Sequence, residues 1–369
     1  MSVNAKKVGK TVLRVVLRTL LVIFTVVLIA AGALMFALNM IFNGPSTAAR
    51  NVLTMSLSES SAMKWVPAVF LGDELVAQIR ADVVLPMPEE VSDGSGVVVN
   101  PPVATDDEWK DYPDGIRIEE VHGDNYNAYV MMIRDPSRVY LATSTSKYTT
   151  AIDGTRIHNQ IIKEGAVAAI NGGAFNDDGT SNSYIGSLPM GLTVAGGEIV
   201  WDDHSSYYGF AGFNQDDVLI VANTMSAQQA KELNIRDGCC FGPVLIVNGV
   251  VNDAEFASNS GFNPRTAIGQ RADGVVLFVC IDGRQAGSLG GTYADIINIM
   301  VEYGAVNACN LDGGASSVML YKDTEGRYEG KDNVRYGDDI VMINSYSVLQ
   351  KNPRKMPTFF MVRPEESEG

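Results

Sequence analysis

The chain has 369 residues, 46% of them hydrophobic and 19% charged, with 43 acidic against 28 basic side chains and a net charge of −15. That balance excludes global disorder, collagen, long coiled coils and a multi-span transporter. The first fifty residues hold six of the basic groups and no acid, so the remainder carries 22 basic against 43 acidic side chains. A body this acidic lacks the basic footprint of nucleic-acid binding.

Residues 1–18 read as a short basic tail, with Lys6, Lys7, Lys10, Arg14 and Arg18. Residues 19–42 read as a transmembrane signal anchor. From Leu20 to Phe42 only Thr25, Gly32 and Asn39 interrupt the apolar run, and roughly 20 such residues cross the hydrocarbon core as a helix. The positive charges before it place the N-terminus in the cytoplasm and the rest of the chain outside. A cleaved signal peptide is the competing reading, but its apolar stretch is only about 7–15 residues. The small-residue triplet Ala31-Gly32-Ala33 also lies inside the run. The lipid bilayer is therefore an expected partner, and the expected location is a single-pass cell-membrane protein.

Residues 43–85 read as a helical or mixed stalk. Residues 86–114 hold five Pro, eight acids and one Lys, the composition of a linker. Residues 115–369 are expected to form one domain of mixed α and β class, strand-rich with a few helices. Strands are predicted at 126–134 and 138–143, then a helix at 155–164 running into a strand at 166–170. Ser226 with Gln229 three residues on is a capping-box pattern for a helix at 227–233. Asn248-Gly249 between Leu245-Ile246-Val247 and Val250-Val251 predicts a hairpin. Residues 266–270 and 275–281 predict a second. A helix at 292–303 leads into a strand at 306–311.

Three apolar strands end in a polar residue followed by glycine: Asn171-Gly172-Gly173, Asp282-Gly283-Arg284 and Asp312-Gly313-Gly314-Ala315-Ser316-Ser317. Strand carboxyl ends are where sheets of mixed proteins usually hold ligands, and glycine lets a ligand approach the backbone. Asp282 and Asp312 are then candidates for the carboxylate pair that hydrolysis at a sugar anomeric carbon commonly uses. Arg265 and Arg284 suit phosphate, through paired charge-assisted hydrogen bonds; a plain salt bridge to one Asp is the alternative for either. His204 reads as an exposed loop residue, and Tyr207 and Tyr208 as edge aromatics or sugar-stacking rings. The four cysteines (239, 240, 280 and 309) have no Cys-x-x-C spacing and the three histidines no zinc spacing, so no metal is expected. Cys280 and Cys309 lie within apolar strands and read as buried thiols. No cofactor fingerprint is present.

These motifs in this order resemble the phosphodiester glycosidase family over roughly residues 120–363. The resemblance rests on Asn171-Gly172-Gly173-Ala174-Phe175, Gly242-Pro243, Pro264-Arg265-Thr266-Ala267-Ile268-Gly269, Asp282-Gly283-Arg284 and 310–317. It implies hydrolysis of a sugar-1-phosphodiester to free sugar and a phosphomonoester. On this reading Asp282, Asp312 and Arg265 are expected to be catalytic, one aspartate as nucleophile or water-activating base, the other as acid or sugar-orienting group, and Arg265 at the phosphate. Asn171, Gly172, Gly173, Thr266, Gly283, Arg284, Gly313, Gly314, Ser316 and Ser317 would be substrate-binding. An anchor ahead of such a domain looks like a bacterial cell-surface protein acting on wall or capsule glycopolymers. A non-catalytic module for anionic glycans, or a phosphodiesterase cutting P–O, are the alternatives.

Overall fold

The computed structural model describes residues 2–60, 63–82, 91–99, 108–149, 152–176, 185–205, 208–252, 260–328, 334–337, 339–345 and 352–365. Tyr207 and the expected linker positions 86–90 and 100–107 lie outside them. The chain divides into two units, Met1–Ala81 and Asp82–Gly369.

The first unit is helical. Helix α1 (Ser2–Phe42) contains the apolar stretch Val12–Phe42, whose length and composition suffice to cross a bilayer; a signal sequence meets the same two conditions. From Val12 to Phe36 its large apolar side chains are exposed, Leu21 at 64% and Phe36 at 68%. Three short helices follow. α2 (Thr47–Ser58) is capped by Ser46 Oγ, which accepts from the Ala49 N–H at 3.2 Å. α3 (Val66–Leu71) has Pro67 in its first turn, where the missing N–H costs nothing. α4 (Asp73–Asp82) sets Asp73 and Glu74 at its N-terminus and Arg80 in its last turn, matching the helix dipole.

The second unit runs β1 (Ile116–His122), β2 (Asn127–Ile133), β3 (Val139–Thr143), α5 (Ile157–Glu164), β4 (Ala168–Asn171), β5 (Leu192–Ala195) and β6 (Glu198–Asp202). It continues through β7 (Phe210–Asn214), β8 (Leu219–Ala222), α6 (Ala227–Glu232), β9 (Ile235–Cys240), β10 (Val244–Val247) and β11 (Val250–Val251). β12 (Arg265–Arg271), β13 (Val276–Ile281), α7 (Tyr293–Glu302), β14 (Ala305–Leu311), β15 (Met319–Lys322), β16 (Arg335–Tyr336), β17 (Ile340–Met342) and β18 (Thr358–Val362) complete it. The class is mixed α and β, rich in strand, as the periodicity predicts.

Three antiparallel sheets result, ordered β1-β2-β13-β12-β14-β10-β11, β16-β17-β15-β4-β18-β3 and β6-β5-β9-β7-β8. One core gathers Met131, Ile133, Ile268 and Phe278 from the first, Ile170, Met319 and Phe360 from the second, and Phe213 and Val221 from the third. The outer face of the first sheet packs on α7 through Ile296, Ile297 and Met300, and that of the second on α5 through Ile157 and Ile161. Both sequence-predicted hairpins form. Asn248 and Gly249 take φ of 49° and 79° at the tip of β10–β11, the left-handed pair a tight hairpin requires. The Ser226–Gln229 capping box forms at α6; a second one, Thr292–Asp295, starts α7.

Within the expected linker, residues 91–99 lie against the third sheet and its neighbours. Ser92 exchanges two hydrogen bonds with Val221, the Val98 N–H donates to the Ala272 carbonyl, and Val91, Val97 and Val99 cover the core beneath β7 and β8. Val91 precedes a Ser-Asp-Gly-Ser-Gly run and Val97–Val99 follow it, so a stretch within a linker-like composition still carries an apolar edge. The packed body therefore takes in chain well before Gly115.

All four cysteines are buried thiols. Burial pushes the Cys240 thiol up to about 12 and those of Cys239, Cys280 and Cys309 well above the ordinary value. A thiol reacts as thiolate, so the native chain is expected to resist iodoacetamide at pH 8 and to take up four equivalents once unfolded in denaturant. Mass spectrometry reads both; rapid labelling of the native chain would contradict the burial.

Candidate active site

The site is built where strand ends of two sheets meet. β13 and β14 each pair antiparallel with β12, so their carboxyl ends lie at the same edge, flanking the start of β12. Asp282 and Asp312 leave those two ends. Two strand spacings, about 10 Å, separate their backbones. From the other sheet, β4 delivers Asn171 and the segment after β17 delivers Asn344 and Ser345.

An open cleft of about 160 Å³ lies here, lined by Pro264, Ile281, Asp282, Gly283, Arg284, Gly314, Ala315, Ser317, Asn344 and Ser345. Asp282 is 2% exposed. Its Oδ1 accepts from Asn344 Nδ2 at 3.3 Å and its Oδ2 from the Ser345 N–H at 3.2 Å. Its backbone is fixed as well: the N–H donates to the Asn127 carbonyl at 2.9 Å, and Ser288 Oγ donates to its carbonyl at 2.7 Å. Asn344 is held in turn, since its Oδ1 accepts from the Met319 N–H at 2.8 Å. The Tyr129 phenol is raised first by burial and then by the negative charge of Asp282, so it stays protonated at any working pH. Tyr129 opposes Cys280 in the β2–β13 pairing and so shares a face with it.

Arg284 is exposed and holds φ of 58°, a conformation that costs a non-glycine residue energy and clusters at functional sites. Its Nη2 donates to Asn263 Oδ1 at 2.8 Å, and its guanidinium lies over Gly314. Gly283 and Gly313 close on Pro264 from two sides: a Cβ would meet the Pro264 nitrogen at 2.7 Å in one case and its carbonyl oxygen at 2.8 Å in the other. Ser316 Oγ and Ser317 Oγ are buried with no hydrogen-bond partner among the described residues, an unusual state that calls for an explanation.

Other residues singled out from the sequence sit behind the cleft. Asn171 is 0% exposed. Its Oδ1 accepts from Thr266 Oγ1 at 2.9 Å and the Val318 N–H at 3.2 Å, and its Nδ2 donates to the Asp312 carbonyl at 2.6 Å. Gly172 and Gly173 lie against Thr358 and the Cys240 carbonyl, too close for a side chain. Arg265 is 3% exposed, donates to the carbonyls of Gly291, Ser260 and Gly261 at 3.1 Å each, and stacks 3.9 Å over the Tyr293 ring. Neither it nor Asp312 is among the residues lining the cleft. Alternation explains Arg265: it pairs with Ile281 and points with it to the α7 face, while Thr266 and Cys280 point to the other. His204 is an exposed loop residue paired with Asp202 at 3.1 Å, and the Tyr208 hydroxyl meets Met190 Sδ at 3.6 Å.

Asn344, Ser345 and Tyr129 escape the sequence reading. Ile340-Val341-Met342-Ile343 into Asn344-Ser345 is again an apolar strand ending in polar residues, but without the glycine that marks the other three ends.

A model of the phosphodiester glycosidase family matches residues 164–363, just over half of the sequence. The chain belongs to that family. It is 26% identical over 227 residues to the SPbeta prophage-derived uncharacterized protein YomE of Bacillus subtilis. That alignment covers 59% of this chain and 33% of YomE, so the chain spans about a third of the length of the curated relative it matches. Among solved structures it is similar to the catalytic domain of zebrafish N-acetylglucosamine-1-phosphodiester α-N-acetylglucosaminidase, auto-inhibited by its pro-peptide. There the TM-score is 0.51 at 16% identity, covering 68% of this chain and 82% of that one, which shows the shared fold. A hypothetical protein from Synechocystis matches with a TM-score of 0.43 at 16% identity, over 67% of this chain and 62% of that one.

Proposed function

We propose that this phosphodiester glycosidase domain hydrolyses a sugar-1-phosphodiester at the anomeric C–O bond. The observation that carries the reading is Asp282, a carboxylate held by Asn344 and Ser345 at the floor of a cleft whose rim carries the Arg284 guanidinium. Asp282 is the carboxylate that attacks the anomeric carbon or takes the proton from the attacking water. Asp312, at the end of β14 with β12 between, lies outside the cleft lining and would orient a part of the sugar that extends past the cleft or serve as acid there. The bond from the anomeric carbon to the phosphate oxygen breaks, its electron pair leaves with the phosphate, and oxygen from water ends on the sugar. A phosphomonoester leaves readily, so the site chiefly has to stabilise charge. Arg284 does this at the phosphate, and the Ser317 hydroxyl, on the cleft wall, supplies a hydrogen bond to the ligand. Arg265 and Asn171 act from behind, holding the loops in place.

The chain would sit in the membrane through residues 19–42 with its N-terminus inside and the catalytic domain outside, by the charge asymmetry around the span. Sugar-phosphate glycopolymers of the cell surface are then the substrate class. Incubating the full chain in detergent with a panel of sugar-1-phosphodiesters should release free sugar and phosphomonoester in equal amounts. Sugar phosphate as product would indicate P–O cleavage instead, and no release at all would favour a binding module.

Arg284→Ala gives a sharper check on the phosphate contact. A hydrogen bond to a charged group is worth about 1.5–3 kcal/mol, so kcat/KM on phosphodiesters should fall roughly 10- to 100-fold. An aryl glycoside of the same sugar, which has no phosphate, should be turned over equally by both proteins. Equal losses on the two substrates would contradict a phosphate contact at Arg284.

A further inference from the structure

We propose that the outward face of the turn before α3 and of α3 itself, formed by Met63, Lys64, Trp65 and Val69, lies on the bilayer surface as a second membrane contact. This rests on the reading of α1 as a membrane anchor. Helix α3 has two apolar faces. Val66, 6% exposed, and the half-buried Phe70 turn inward, and Phe70 stacks on Phe42 with ring centroids 4.9 Å apart and planes 18° apart. Phe42 is 0% exposed and is the last residue of the apolar span. That stack ties α3 to the level at which the chain leaves the hydrocarbon. On the other face, Trp65 and Val69 stand one turn apart and are 62% and 61% exposed, with Met63 beside them at 43%.

The segment is built rather than loose. The Met63 and Lys64 N–H groups both donate to the Ser60 carbonyl, at 3.1 and 2.9 Å, and the Val66 N–H donates to the Met63 carbonyl at 2.9 Å. Three large apolar side chains shown to water lose transfer free energy that a lipid interface returns. Trp is the side chain most suited to that interface, being apolar in body and polar at its N–H. The exposed Lys64 between Met63 and Trp65 can lay its stem along the acyl boundary and place its ammonium among lipid phosphates.

The test uses the full chain in vesicles of phosphatidylcholine with a minor share of phosphatidylglycerol. Two further preparations carry phosphatidylcholine brominated either near the headgroup or near the end of the acyl chain. Tryptophan emission of the native chain should be quenched by the headgroup-proximal bromines and much less by the distal ones. Trp65→Ala should lose that quenchable component. Extraction with alkaline carbonate is run in parallel. If the chain resists extraction but no emission is quenched, the anchor stands and the surface contact is overturned. Shielding of Trp65 from both bromolipids by a second copy would overturn the contact equally. If carbonate releases the chain, the anchor reading fails and the surface contact fails with it.

Discussion

Asp282→Asn is expected to cut turnover of a sugar-1-phosphodiester by roughly 10²–10⁴-fold, the range that loss of a positioned catalytic acid or base produces. The substitution keeps the shape and removes the charge. Asn344 Nδ2 and the Ser345 N–H donate to different oxygens, so the amide keeps one of these bonds and turns its NH2 toward the other donor, and a modest fall in melting temperature is expected beside the loss of turnover. A buried carboxylate that served only as a structural acceptor would behave differently. Its neutral replacement would leave turnover intact and lower only the melting temperature, because one buried donor loses its acceptor. Steady-state kinetics beside a thermal melt separates the two. Undiminished turnover in Asp282→Asn would remove this residue from the chemistry.

Asn171→Leu carries the second large effect, and it falls on stability. The change leaves the Thr266 hydroxyl, the Val318 N–H and the Asp312 carbonyl without the partner each has now. Each buried polar group so stranded costs about 1–3 kcal/mol, and partial relaxation should leave a total of about 3–5 kcal/mol. In a domain this large that lowers the melting temperature by on the order of 10 °C. Differential scanning calorimetry reads it directly. If Asn171 instead met a sugar hydroxyl, the variant would melt normally and show a raised KM.

Much of this fold is legible in the sequence because its signals are local. The Asn248-Gly249 turn, the Ser226–Gln229 cap and the alternation on either side of residues 271–274 each depend on a few neighbours. Partition into three sheets is not local. β2 pairs with β13 across well over a hundred residues, and only packing in three dimensions selects that register. The same divide runs through the site. Asp282, Gly283, Arg284, Gly314 and Ser317 are readable because polar residues and glycines follow apolar runs, and the cleft contains all five. Asn344 and Ser345 reach Asp282 from a different sheet. The composition near Arg265 invites a phosphate, but its place on the α7 face of β12 sets its guanidinium against three carbonyls and the Tyr293 ring. Residue type alone does not separate the two arginines; of the pair, Arg284 lines the cleft.

The packed strap at 91–99 bears on how such tests are made. A truncation beginning at Gly115 would remove Ser92 and Val98 from their partners and uncover the core beneath β7 and β8. The full chain is the sound preparation.

Hydrolysis in water enriched with oxygen-18, by the full chain in detergent, tests the central claim most directly. A sugar-1-phosphodiester is turned over and both products are weighed by mass spectrometry. Cleavage of the anomeric C–O bond predicts the heavy oxygen in the free sugar and none in the phosphomonoester. Heavy oxygen in the phosphate would show attack at phosphorus and contradict the glycosidase mechanism.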